Sequence, residues 1–549
     1  MINELNSLWQ YSKGFRLRIF ITIILSCLGV LFSLLFVETT KHLLDNISNG
    51  IELSFVSSML FLVGTKVFQL ICEQSEIYLR STNRVKLENE LEYHLFCNLI
   101  ESRVYSDNNI HSGDSIYRLS SDVGIVAEGI SYTIPTLIYS FVQLLATGIY
   151  LMTMQPELTI LLALIAPTVI VITYYYTRVL SPVSKDVRRK GSEVNQYFQE
   201  HIQHKELISI LGQQKYVQSQ AKNIQNKFLT VLLKRIKITI GADSITEIGL
   251  ALSYLSIFIW GIYAIPRGNM TYGIFVVFLQ LVGQLQRPIF LLKDQYPSFI
   301  SALASTERIQ EIINFPNDYT TDNLLVGDDL GLRFENVYFE YPNNHKQILT
   351  NFSWDFKPGT VTAVMGETGV GKSTLIKLIF AFLNPNQGRI SIYKNNNAED
   401  VLVSNKTRCN FIYVPQGNNL ISGSIRYNLQ LGNPVATDEE MKKALWVSAA
   451  EFVYSQFPDG LDTVIGERGF SISEGQAQRI SVARGLLKPG AILILDEPTS
   501  ALDYDTEQIL YTRLISYCVR KTVIIITHRQ TNNSYFQNIL TLKPLYRNK

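Results

Sequence analysis

Cysteine is scarce in this chain of 549 residues. Cys27, Cys72, Cys97, Cys409 and Cys518 are odd in number and far apart. No disulfide framework and no cysteine-based zinc cluster fits that spacing, so a reduced, cytosol-facing environment is the default. Charge is sparse too. Asp, Glu, Lys and Arg make up 17% of the residues, against about 25% in an average soluble domain. A net charge of one sign is nearly missing, with 49 basic and 47 acidic residues. That excludes a polycation holding nucleic acid by bulk electrostatics, and it excludes an acidic solvating tail. What remains is apolar: 47% hydrophobic residues and a mean hydropathy of +0.11. This is too apolar for disorder and apolar enough for membrane spans. At roughly 100–200 residues per domain, the length allows about three domain-sized units.

Most long apolar runs lie in the first 300 residues or so. Windows of about 20 residues give six candidate spans, near 18–42, 54–78, 128–153, 157–180, 244–265 and 271–293. The first is too long for a signal-peptide core and lacks a small-residue cleavage site after it. Short links join the spans in pairs, while the links after the second and fourth are long, charged and helix-patterned. Basic residues such as Arg80, Arg84, Lys86, Lys185, Arg188, Arg189 and Lys190 crowd the N-terminus and the long links, and the short links carry only Arg267. The positive-inside rule then puts both termini and both long links in the cytoplasm. The expected order is a transmembrane domain over 1–314, a linker over 315–330 and an α/β domain over 331–549.

That last part holds short apolar runs suited to buried parallel strands: Val361–Val364, Phe411–Val414, Ile492–Leu495 and Val523–Ile526. Between the first of them and a helical pattern sits Gly366-Glu367-Thr368-Gly369-Val370-Gly371-Lys372-Ser373, followed by Thr374. It is a complete G-x-x-x-x-G-K-[ST] phosphate loop. Its glycines let backbone N–H groups face phosphate oxygens at a helix N-terminus. Lys372 would reach the β- and γ-phosphates and Ser373 a Mg²⁺ ion. Ala491–Glu497 is an apolar run ending in two carboxylates. Asp496 suits the metal, and Glu497 suits the attacking water.

These residues carry a resemblance to ATP-binding cassette (ABC) proteins. Ile472-Ser473-Glu474-Gly475-Gln476 resembles their signature sequence. In family order, Tyr341 resembles the adenine-stacking aromatic, Gln416 the Q-loop glutamine, Glu467-Arg-Gly469 the X-loop, Asp503 the D-loop aspartate and His528 the switch histidine. Gly113–Asp122, the segment from Glu200 to Gly212, and Ser305–Ile309 resemble parts of the membrane domain of exporter-type (type IV) transporters. The resemblance implies a half-transporter: an α-helical transmembrane domain of six spans, then an α/β P-loop ATPase. It implies ATP and Mg²⁺ as cofactors, with Ser373, Gln416 and Asp496 at the metal and Glu497, His528, Lys372 and Gln416 in catalysis. Two chains would sandwich two ATP molecules, so that Ser473, Gly475 and Gln476 of one face Lys372 and Glu497 of the other. Coupling helices are expected near Ser106–Ile116 and Gln203–Ser209. The intact Glu497 favours a homodimer with two active sites, a heterodimer being the alternative. Glu474 departs from the usual central glycine. Only 21 residues follow His528, so tail-based regulation is expected to be missing. Met1–Arg18 is too short for a leader-cleaving protease domain, so none is expected.

Polar residues in the spans bear on the cargo. Gln280, Gln284 and Arg287 share one helix face, which either lines a cavity or serves as helix-packing glue. Most of the few acids in the spans, Glu38, Glu73, Glu76, Asp243 and Glu247, sit near the expected span ends, so no dedicated cation site is expected. The leading expectation is an ATP-driven exporter of a peptide or other amphipathic small molecule, in contact with membrane lipid and without nucleic acid. Alternatives are a flippase for lipid or lipid-linked oligosaccharide and a non-transporting membrane sensor.

Overall fold

The computed structural model describes residues 2–48, 55–102, 112–156, 159–160, 165–320, 322–341, 346–367, 369–394, 400–466, 472–528 and 535–543. The chain divides into two compact units. One comprises Met1–Ile100 and Ile110–Asn314, and the other comprises Phe315–Lys549 with Glu101–Asn109.

Among its described residues, the first unit is built of helices joined by short turns. Among the described residues, five helices are long and apolar enough to cross a bilayer: Arg16–Ser48, Val56–Glu101, Ser115–Met154, Gln214–Arg267 and Tyr272–Ile313. The fourth expected span, 157–180, lies partly outside the described residues, and its remainder belongs to the helix Ile165–Gln203. Large apolar side chains point outward all along these helices, including Phe20, Ile24, Leu60, Phe61, Phe141 and Ile259. Such an apolar exterior is costly in water and suits lipid. The interior packing is local. Val37, Leu151, Ile257, Val277, Phe278, Leu281 and Val282 form one buried cluster among four helices.

Two π-helical turns, Arg118–Asp122 and Gly129–Thr133, interrupt the third spanning helix. A π-turn inserts a residue and re-aims the helix face. Both turns present residues to the last membrane helix. Asp122, fully buried, accepts from Ser305 Oγ at 2.9 Å and from Arg308 Nε at 2.7 Å. At Gly129 the backbones come so close that a Cβ would lie 2.6 Å from the Ala302 Cβ. These contacts pin the Tyr272–Ile313 helix, despite its internal Pro288 and Pro297.

The second unit is α/β. Its central sheet is parallel, in the order β11-β3-β10-β9-β6, with β3 Val361–Met365, β6 Phe411–Val414, β9 Ile492–Asp496, β10 Thr522–Ile526 and β11 Asn538–Thr541. The four expected strand runs are strands to within a residue. Apart from the partly buried Tyr413, their inner positions are fully buried on both faces, as a parallel sheet requires. An antiparallel sheet pairs β2 Lys346–Phe356, β1 Leu330–Tyr341, β4 Gln387–Lys394 and β5 Val401–Leu402 in that order. Leu332, Phe334, Phe356 and Ile392 pack from this sheet onto Leu375, Ile379 and Ile494. On the other side of the parallel sheet, the helices Asp438–Val447, Glu474–Leu487 and Tyr504–Tyr517 bury Leu445, Ile480, Leu510 and Leu514. A short β7–β8 ladder, Gly423–Ser424 with Val464–Ile465, completes the unit.

Candidate functional site

Parallel strands all point one way, so their C-terminal ends form one edge where loops converge. The register fixes this edge. Ile526 of β10 lies beside Asp496 of β9 and Val364 of β3, and Val414 of β6 lies beside Leu495. The chain leaves β3 into the phosphate loop, β6 into Gln416, β9 into Glu497 and β10 into His528. One cavity of about 1020 Å³ gathers Tyr341, Gly366, Glu367, Gly369, Gly371, Lys372, Ser373, Thr374, Gln416, Asp496, Glu497 and His528. Thr368 and the X-loop segment Glu467–Gly469 lie outside the described residues.

The loop shape depends on glycine at two places. Gly369 and Gly371 take φ of +88° and +108°, and at Gly371 a Cβ would also meet Ile348 Cγ2 at 2.5 Å. Gly371 then caps the helix Lys372–Ile379, whose first N–H groups face the cavity mouth with the positive end of the dipole. Lys372 Nζ donates to the Gly366 carbonyl at 2.8 Å. Tyr341 shares a hydrogen bond of 3.2 Å with Thr374 Oγ1.

Opposite the loop, Glu497 is held at every polar atom. Gln416 Nε2 donates to one carboxylate oxygen at 2.6 Å, and His528 Nδ1 lies 3.1 Å from the other. The Glu497 N–H donates to the Ile526 carbonyl at 2.9 Å. Its own carbonyl accepts from Gln478 Nε2 at 2.5 Å. The backbone there is left-handed, φ +48°, a conformation costing roughly 1–3 kcal/mol that only a determined surrounding maintains. Next to it, burial and then the Glu497 charge push Asp496 up to about 6. A nearby cation would relieve that penalty. Asp496, the Ser373 hydroxyl and the Gln416 amide oxygen make a hard-oxygen donor set in one cavity. It fits an ion such as Mg²⁺, which takes few protein ligands and completes its shell with phosphate and water.

Gln478 was missed by sequence reasoning. It is buried, and besides Glu497 it contacts Ser500 Oγ at 3.2 Å and accepts from the Ala501 N–H at 3.3 Å. The available signal was a buried-face glutamine two residues after Gln476, on the helix that the signature opens.

The remaining expected residues do not line this cavity. Ser473 and Gln476 cap the helix Glu474–Leu487 reciprocally, through Ser473 N–H to Gln476 Oε1 at 3.0 Å and Gln476 N–H to Ser473 Oγ at 3.2 Å. Asp503 caps the helix Tyr504–Tyr517 by accepting from the Thr506 N–H at 2.9 Å. Gly475 is buried, and a Cβ there would lie 2.7 Å from the Ala501 carbonyl oxygen. Close packing against the segment before Asp503 therefore requires this glycine. Glu474 is exposed in the first turn, where the helix dipole favours a negative charge by about 0.3–1 kcal/mol.

The membrane unit has its own cavity, of about 510 Å³. Gln280, Gln284 and Arg287 line it together with Glu73, Glu76, Arg80, Tyr132, Thr136, Tyr139 and Gln143. Glu73 and Glu76, both on the helix Phe55–Glu101, thus belong to the cavity wall. Of the expected coupling helices, the described part of the first is the helix Ser112–Tyr117, and the second coincides with the helix Lys205–Ile210.

Fold and cavity together define a P-loop ATP-binding unit fused to a helical membrane region. Comparison with known proteins agrees. The family model for the ABC transporter transmembrane region matches residues 16–289, and the ABC transporter model matches residues 349–500. The chain belongs to the ABC transporter family, with its transmembrane and ATP-binding regions fused in one chain. It is 30% identical over 473 residues to ABC transporter B family member 4 of Dictyostelium discoideum, covering 85% of this chain and 60% of that protein. It is 28% identical over 474 residues to the leukotoxin export ATP-binding protein LtxB of Aggregatibacter actinomycetemcomitans, covering 84% of this chain and 65% of that protein. The chain therefore spans less than two thirds of either relative. A solved bacterial Atm1-family ABC exporter with ATP bound shares the fold, with a TM-score of 0.83, 22% identity, and coverage of 97% of this chain and 94% of that one.

Proposed function

We propose that the chain is an ATP-hydrolysing exporter working by alternating access, which moves a small amphipathic molecule or peptide out of the cytoplasm. The observation that carries the reading is the clamped Glu497 carboxylate, aimed at the mouth of a phosphate loop. A carboxylate fixed at both oxygens is a positioned general base for water. Lys372, the loop N–H groups and the Lys372–Ile379 helix N-terminus would hold ATP phosphates. Tyr341 would pack on the base. Asp496, Ser373 and Gln416 would hold Mg²⁺, which supplies charge neutralisation at the phosphates. His528 and Gln416 share Glu497, so each would report the γ-phosphate to a different element.

Ser473, Gly475, Gln476 and Asp503 lie outside the nucleotide cavity of their own chain. This supports a second copy as partner, each chain donating its signature helix to the other's nucleotide. Differential affinity for ATP before and after hydrolysis would then drive two global states. Basic residues on the long links support placement in a cytoplasmic membrane with both termini and the ATPase unit inside. The polar cavity supports an amphipathic cargo over a bare lipid tail. LtxB is named for leukotoxin export, which favours movement out of the cytoplasm. The purified chain in proteoliposomes tests the reading. Vanadate-sensitive accumulation of a fluorescent peptide library is expected. ATP hydrolysis without any net movement would favour a sensor, and movement of labelled lipid between leaflets alone would favour a flippase. Changing Gln280, Gln284 and Arg287 together to leucine is expected to remove cargo stimulation of ATPase activity.

A further inference from the structure

Charged side chains inside a membrane unit are costly unless something neutralises them. The cavity lined by Gln280, Gln284 and Arg287 holds four. Two neutralise each other: Glu76, 6% exposed, is ion-paired with Arg80, whose guanidinium lies 4.6 Å from the Tyr132 ring centre. The other two remain. Among the described residues, Glu73 accepts only from a neutral partner, Gln69 Nε2, at 2.9 Å. Arg287 makes no ion pair or hydrogen bond among the described residues, and the two charges do not pair with each other. Thr136 and Gln143 are 3% and 6% exposed, and their Oγ1 and Oε1 atoms are buried without partners. A buried acceptor left unmade costs roughly 1–3 kcal/mol. Leu25, Val30, Ile77 and Leu291 supply apolar wall between these polar points.

We infer that this cavity is a receptor for a zwitterion, specifically a short peptide with free ends. Glu73 takes the ammonium, Arg287 takes the carboxylate in the bidentate manner of a guanidinium, and Thr136 and Gln143 meet peptide groups. A volume of about 510 Å³ falls within the roughly 300–1,000 Å³ of small-ligand sites. A lipid phosphate would satisfy Arg287 but meet repulsion from Glu73, and a bare acyl chain would leave both charges dry. The inference rests on the export reading and names its substrate class.

The test uses the full-length protein in nanodiscs without ATP. The probes are leucyl-glycyl-phenylalanine with free ends, its N-acetyl form and its C-terminal amide. The wild type is expected to bind the free peptide at least about tenfold more tightly than either blocked form. Glu73→Gln should erase discrimination against the acetylated form and keep discrimination against the amide. Arg287→Gln should do the reverse. Equal binding of all three peptides, no measurable binding of the free one, or identical behaviour of the two variants would overturn the proposal. Transport in proteoliposomes separates the two levels. Charge-discriminating binding without ATP-driven uptake sinks the export reading alone, and uptake indifferent to blocking sinks the zwitterion site alone.

Discussion

Replacing Gln478 by leucine removes the strut behind Glu497 while nearly conserving volume. Three hydrogen bonds disappear: Nε2 to the Glu497 carbonyl at 2.5 Å, Nε2 to Ser500 Oγ at 3.2 Å, and the Ala501 N–H to Oε1 at 3.3 Å. Each is worth about 1 kcal/mol net, so some 2–4 kcal/mol that hold the left-handed turn at Glu497 are at stake. The turn itself stores about 1–3 kcal/mol of strain. The two magnitudes are comparable, so the turn should relax in a sizeable fraction of molecules and the carboxylate should leave its place between Gln416 and His528. Turnover of ATP is expected to fall about 10–100-fold. The dissociation constant of a fluorescent ATP analogue should stay within twofold, because the Gln478 side chain bonds to Glu497, Ser500 and Ala501 rather than to the described residues of the phosphate loop. Steady-state ATPase assays and equilibrium titration on the full-length protein read the two quantities separately. Glu497→Gln serves as the reference, with a loss of about 10²–10⁴ in turnover for a missing general base. A Gln478→Leu turnover within twofold of wild type would refute the strut argument. An equal loss in turnover and affinity would show general damage instead.

Asp496 is pushed up to about 6 by burial and by Glu497. The raised value means that the folded state holds this proton more tightly than the unfolded one. That contribution is complete at low pH and fades as pH rises through about 6. Stabilisation by Mg²⁺ should run the opposite way, weakening as pH falls below about 6 and vanishing in Asp496→Asn, as read by thermal shift at a series of pH values. Asp122→Asn breaks a pair whose acid is fully buried and whose Arg308 is half-exposed, at a cost of about 2–3 kcal/mol. A lowered melting temperature in detergent checks it, and an unchanged one would remove the clamp from the account. Gly475→Ala places a Cβ 2.7 Å from the Ala501 carbonyl and should cost about 1–3 kcal/mol, with reduced ATPase activity, whereas Glu474→Gln, altering an exposed first-turn residue, should leave both activity and ATP affinity within twofold.

The nucleotide edge was legible in the sequence because its parts are local. A buried parallel strand reads as a short apolar run, and Val361–Val364 and Ile492–Leu495 each end where a loop must begin. The phosphate loop needs glycines within one turn, so spacing alone locates Lys372 and Ser373. Gln478 was illegible for the opposite reason. Its role arises when the Glu474–Leu487 helix is laid against the turn after β9, and no local pattern encodes that contact. The membrane cavity shows the same division. Helical periodicity put Gln280, Gln284 and Arg287 on one face. That Glu73 and Glu76 line the same cavity was not legible, because it depends on how the Phe55–Glu101 helix packs beside the helix carrying Arg287.

Two positions where the family usually carries glycine meet in the signature segment, and they answer to different constraints. Gly475 is demanded by its own chain, since Ala501 lies where a side chain would go. The neighbouring position faces solvent and carries Glu474 with no such pressure, at a helix end where its charge is favourable. Ser473 likewise completes a capping box worth about 1 kcal/mol within its own helix. The segment is therefore fully satisfied in one chain. A helix N-terminus presented intact at the surface remains an anion site even when its cap is made, because the dipole and the first N–H groups still point outward. In the proposed two-chain arrangement, this helix would need no remodelling to meet a γ-phosphate.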